Sequence, residues 1–127
     1  DNAELATLVT PASAEEAAHP QVVKTVVSWN AKAPGGHRLG RAHYFSRAVV
    51  PAGPEKKLHH IGVYGWRRDA LAQFVSLPPS PLELSERLEQ LRALEAGMEI
   101  TVAEIPAAPG GVDTEADLQA ARQRMTE

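Results

Sequence analysis

The chain has 127 residues, enough for one domain with its own core, and its 43% apolar and 23% charged residues are ordinary for a globular protein. A net charge of −3 gives no reason to expect a nucleic-acid groove or an anionic membrane as partner. The absence of cysteine excludes disulfides, zinc–thiolate sites and thiol catalysis, and no apolar run approaches the length of a membrane span.

The chain opens on Asp1 and passes almost at once into a strand-like run, Leu5 to Val9, so a piece of a longer protein is the expectation. Ser13 to Ala18 predicts one helical turn, capped by Ser13 with Glu16 in a capping box and stopped by Pro20. The β-branched run Val22 to Trp29 predicts a strand, and Asn30 to Gly40, with Pro34 and three glycines, predicts a loop. His43 to Ser46 predicts a short strand, followed by a polar loop over Pro51 to Lys57. His59 to Arg67 is the clearest strand. Strict alternation would put Ile61, Val63 and Gly65 on one face and His60, Gly62, Tyr64 and Trp66 on the other. Its two glycines predict close approach of another backbone or of a ligand. Asp69 is expected to cap a helix ending near Leu77, with Leu71, Phe74 and Val75 as its apolar face.

Ser80 to Ala96 carries the longest helical pattern, with Leu84, Leu88, Leu91 and Leu94 near one face. Ser80 is the expected N-cap, Pro81 fits the first helical position, and Gly97 can end the helix in a left-handed turn. On that helix Glu89 and Gln90 point about 100° apart, so one borders the buried face while its neighbour projects away. A strand over Glu99 to Ile105, a loop from Pro106 to Gly111 and a helix from Thr114 to about Met125 complete the chain. Strands interleaved with helices predict an α/β fold with a mixed sheet.

Taken alone, the residues support modest chemistry. No phosphate-cradling glycine loop and no nucleophile elbow is present. His59 and His60 point to opposite strand faces and are poorly placed to share a metal. His60 beside Tyr64 is either a ligand contact or a satisfied core or interface histidine. Asp113, ahead of a helix and after a strand, either holds a hard cation such as Mg2+ or caps the helix. Glu86, Arg87, Glu89 and Arg92 can equally form a solvated charged face.

Several segments are familiar in combination: His19-Pro20 with Val22 to Val27, Tyr44 to Pro51, His60 to Arg67, Ser80 to Glu83, Leu88 to Arg92, and Gly111 to Thr114. In this order and spacing the chain resembles the 3-deoxy-manno-octulosonate cytidylyltransferases, the CMP-Kdo synthetases. The match runs from near residue 5 to near residue 125. It corresponds to the carboxyl-terminal part, roughly half, of such an enzyme. The triphosphate loop, most cytosine contacts and a first metal-binding aspartate belong to the family's other half, so little or no turnover is expected of this chain alone.

The resemblance implies a three-layer, mixed-sheet α/β fold of the nucleotide-diphospho-sugar transferase type, carboxyl-terminal portion only. It implies transfer of CMP from CTP to 3-deoxy-manno-octulosonate (Kdo) for lipopolysaccharide biosynthesis, with Mg2+, in a cytoplasmic homodimer. Asp113 matches a catalytic metal-binding carboxylate, and Arg47 matches a basic residue suited to the sugar carboxylate. His60, Tyr64, Glu89 and Gln90 match sugar-contacting positions. Activation of another acid sugar, of sialic acid or amino-Kdo type, and a non-catalytic dimerisation module are the alternatives.

Overall fold

The computed structural model of the chain describes residues 4–106 and Arg122. The elements run β1 (Leu5–Pro11), α1 (Ala14–Ala18), β2 (Lys24–Lys32), β3 (Arg38–Ser46), β4 (Leu58–Trp66), α2 (Arg68–Ser76), α3 (Pro81–Glu86), α4 (Leu91–Glu95) and β5 (Ile100–Glu104). The sheet is mixed, as expected for the α/β class. Antiparallel neighbours run β1-β4-β2-β3-β5, and β5 returns to pair with β1 in parallel, so the strands close on themselves. Parallel return requires a long crossover, and α2, α3 and α4 supply it between β4 and β5.

The core is built on the inner strand face. Leu5, Val9, Phe45, Ile100 and Val102 are buried there, and Phe74 and Leu91 from the helices, with Leu88 from the turn between α3 and α4, pack against them. Each such large apolar side chain contributes roughly 1.5–3 kcal/mol of burial free energy before entropy is charged against it.

The segment expected to be a loop over Asn30 to Gly40 is mostly strand. β2 continues to Lys32 and β3 begins at Arg38, with the turn made by Gly35 and Gly36, both at positive φ. Arg38 lies over the Trp29 ring at 4.2 Å and forms a two-bond pair with Glu104, at 2.9 and 2.7 Å, which ties this hairpin to β5. The close backbone approach expected at Gly62 and Gly65 is absent among the described residues, because a Cβ at either would meet open space. It occurs at Gly40, where a Cβ would come within 2.3 Å of the Ser28 carbonyl oxygen.

Two helix expectations need correction. Arg67, not Asp69, is the N-cap of α2; Asp69 lies in the first turn and accepts from the Ala70 amide at 2.9 Å. α2 buries Ala70 and Phe74, while Leu71 and Val75 face outward. The single helix expected over Ser80 to Ala96 is two short ones. Ser80 does cap α3, with a capping box to Glu83 and Pro81 in the first turn. Arg87 then adopts the left-handed conformation, φ 60°, and breaks the helix, so Leu84 is exposed rather than in the core. α4 follows and reaches Gly97 at φ 84°, the predicted left-handed end. The last predicted helix lies outside the described residues, apart from Arg122, which is helical.

Candidate active site

The corner between α3 and α4 decides where Glu89 and Gln90 go. Glu83, already in the capping box, pairs with Arg92 through two hydrogen bonds of 2.8 and 2.6 Å. The pair draws the Glu83 carboxyl below the usual carboxylate range, chiefly through the Arg92 hydrogen bond. The Arg92 guanidinium also lies over the Phe74 ring at 5.0 Å, and Phe74 packs on Trp66 with ring centroids 4.9 Å apart. α4 is thereby braced against α2 and β4. After the break at Arg87, Leu88 and Gln90 both turn inward and Glu89 stays exposed.

A hollow of about 290 Å³ opens at this corner, lined by Tyr64, Trp66, Leu71, Phe74, Val75, Glu89 and Gln90. Gln90 is 8% exposed, and its carboxamide has no hydrogen-bond partner among the described residues. A carboxamide offers both donors and acceptors, so in such a place it is suited to a hydroxyl-bearing ligand. Tyr64 stands at the mouth. Burial, and then the Glu89 charge, push its phenol up to about 12, so it is a protonated donor at neutral pH.

His60 lies behind Tyr64, with ring centroids 5.6 Å apart, and edge-on to Phe45 at 5.0 Å. Strict alternation fails in β4 because the β1–β4 register jumps between Thr7↔Tyr64 and Leu8↔Ile61, leaving Gly62 and Val63 as a bulge. His60 and Ile61 are therefore both buried, and Val63 is exposed. Thr7 fills the gap in the ladder. Its hydroxyl donates to the Val63 carbonyl at 2.9 Å, and it meets His60 Nε2 at 2.9 Å. A hydroxyl has one proton to give, so Nε2–H donates to Thr7 and Nδ1 is unprotonated. Burial, and then His59, push the His60 pKa down to about 4, in keeping with a neutral ring.

The structure thus brings Tyr64, Glu89 and Gln90 into one hollow, with His60 against Tyr64. Arg47 does not line it. Its guanidinium donates to the Pro20 carbonyl at 3.2 Å, beyond the end of β3. Asp113 lies outside the described residues. Among the described residues no three His, Asp or Glu side chains gather as a metal site.

Three polar residues bear on this arrangement without having stood out in the sequence. Thr7 had a signal, because alternation places it on the core face between Leu5 and Val9. Lys24 had one too, as a lone cation inside the run Val22 to Val27. Glu86 had none. It is no solvated charge: it accepts from the Tyr44 hydroxyl at 2.8 Å and the Ser46 hydroxyl at 3.0 Å, tying α3 to β3.

The family model described as Cytidylyltransferase matches residues 1–100 of the chain. The chain belongs to the cytidylyltransferase family. It is 58% identical over 111 residues to the 3-deoxy-manno-octulosonate cytidylyltransferase of Parvibaculum lavamentivorans, covering 87% of this chain and 41% of that protein. It is 55% identical over 114 residues to the protein of the same description from Bradyrhizobium sp. strain BTAi1, covering 90% of this chain and 44% of that protein. A solved structure of CMP:2-keto-3-deoxy-manno-octonic acid synthetase complexed with CTP superposes with a TM-score of 0.84 at 40% identity. That match covers 98% of this cytidylyltransferase chain and 50% of the solved one. The chain therefore spans about half the length, or somewhat less, of the relatives it matches.

Proposed function

We propose that this chain supplies the acceptor-sugar part of an enzyme that transfers CMP from CTP to Kdo, giving CMP-Kdo and pyrophosphate for lipopolysaccharide biosynthesis. The observation that carries the reading is the hollow at the α3–α4 corner, where a largely buried Gln90, its carboxamide without a partner among the described residues, stands beside Glu89 and Tyr64. Gln90 and Glu89 hydrogen-bond sugar hydroxyls, and Tyr64 donates its phenolic proton. Neutral His60 sets the Tyr64 ring without adding a charge. Arg47, outside the hollow at the end of β3, has one donor on the Pro20 carbonyl and keeps the rest of its planar fork for the sugar carboxylate. In the reaction the anomeric oxygen bonds to the α-phosphorus of CTP, the α–β phosphoanhydride bond breaks, and the hydroxyl proton is released. These side chains position the acceptor for that displacement.

Mg2+ belongs to the same reading through Asp113, and it would neutralise phosphate charge. No helix among the described residues is long and apolar enough to cross a membrane. A cytoplasmic setting, where CTP is held, fits the reaction. Homodimerisation is part of the proposal as well, supported by outward-facing Leu71 and Val75 beside the hollow.

The test joins this chain to the amino-terminal part of a curated relative and follows pyrophosphate release from CTP with Kdo, with amino-Kdo or with sialic acid. Release with Kdo is expected, and Gln90→Ala should raise KM for Kdo roughly tenfold with KM for CTP unchanged. Release only with another acid sugar would favour that substrate. No release with any of them would leave the dimerisation module as the better reading.

A further inference from the structure

Lys24 is the largest fully buried side chain among the described residues, with 0% of its surface exposed. It opens β2, and its register partner on β3 is Ser46, the residue before Arg47. Its ammonium donates to the His19 carbonyl at 2.9 Å, and the Val22 amide donates to the same oxygen at 3.1 Å. The next carbonyl along, that of Pro20, accepts from Arg47 at 3.2 Å. Two cations therefore rest on consecutive carbonyls of one turn. Neither has a carboxylate within ion-pair distance among the described residues. Burial first, and the Arg47 charge second, lower the Lys24 pKa, which is what two neighbouring unneutralised cations require.

A buried ammonium with a single acceptor is expensive, and an apolar side chain of similar length would serve the core as well or better. The fold alone gives no reason for a charge here. We propose that Lys24 is a positioning residue for the acid-sugar site: it clamps the His19–Pro20 turn on which Arg47 rests and so presents the guanidinium to an anionic group on the acceptor. The proposal builds on the function proposed above. With none of its own surface exposed, Lys24 acts through Arg47.

Lys24→Met separates this role from a structural one. In the joined protein, the variant should keep its melting temperature, raise KM for Kdo about tenfold, and leave KM for CTP within twofold. Adding Lys24→Met to Arg47→Ala should cost nothing further, because the lysine acts through the arginine. An unchanged KM for Kdo overturns the proposal, as does an additive double variant. So does a Lys24→Met chain that fails to fold, since the ammonium would then serve the core. If the joined protein turns over no acid sugar, the functional reading fails, and Lys24 is judged by hydrogen exchange on this chain. There Lys24→Met should speed exchange at the Val22 amide at least tenfold while the Phe45 amide in β3 stays protected. Unchanged protection at Val22 overturns the clamp.

Discussion

His60 shows what one residue's surroundings do to its chemistry. Thr7 accepts a hydrogen bond from Nε2–H and Phe45 and Tyr64 cover the ring; burial first, and the His59 charge second, bring its pKa down to about 4. The unfolded value is about 6.5, so between the two the unfolded chain binds the extra proton. Stability from the neutral ring is therefore complete above about pH 6.5 and is lost as pH falls toward 4. Between pH 7 and pH 5 the loss should be roughly 2 kcal/mol from His60. His59, lowered chiefly by its burial, adds in the same direction. Urea unfolding at the two pH values checks this: His60→Gln should flatten the difference, leaving the His59 share. A variant as pH-sensitive as its parent would remove His60 as the cause.

At the scale of elements, the informative feature is the break at Arg87. A non-glycine residue in the left-handed region costs about 1–2 kcal/mol. It persists because both sides are fixed: Glu86 holds α3 to Tyr44 and Ser46 on β3, and Arg92 holds α4 to Glu83 and Phe74. Glycine relieves the strain, so Arg87→Gly should hold stability or raise it by up to about 1 kcal/mol. In an unbroken helix the same change would cost about 1 kcal/mol. Thermal or urea unfolding tells the two apart. The break matters to the site, because it turns Leu88 and Gln90 inward together, which a continuous helix would not do.

For the molecule as a whole, the distribution of exposed apolar side chains carries a prediction. Val75 on α2 is 67% exposed and Leu84 on α3 is 66% exposed, where the sequence pattern predicts buried faces. Leu71 and Val75 also form one wall of the hollow. If a second copy covers that wall, the helical pattern and the observed exposure are reconciled, since the apolar face would be buried between subunits. Sedimentation of the chain should then give a dimer, with Val75→Asp shifting it to monomer at micromolar concentration. A parent chain that stays monomeric at high concentration rules this covering out.

By itself, the sequence determined the local decisions. Ser13 and Ser80 cap their helices through capping boxes, Gly97 ends α4, and β1, β4 and β5 fall close to where their β-branched and alternating residues placed them. Each of these is settled by neighbours within a few positions in the chain. The grouping of Tyr64, Glu89 and Gln90 was also legible, through the family resemblance rather than through periodicity. What only the tertiary structure decided came from partners far away in sequence. The extension of β2 and β3 through the expected loop is held in part by Arg38 on Glu104, and the bulge that buries His60 together with Ile61 is filled by Thr7. The split of the long helix and the burial of Lys24 likewise depend on Arg92 meeting Phe74 and Lys24 meeting His19. A periodic pattern records which face is apolar; it cannot record which distant side chain will bend the chain or take its polar groups.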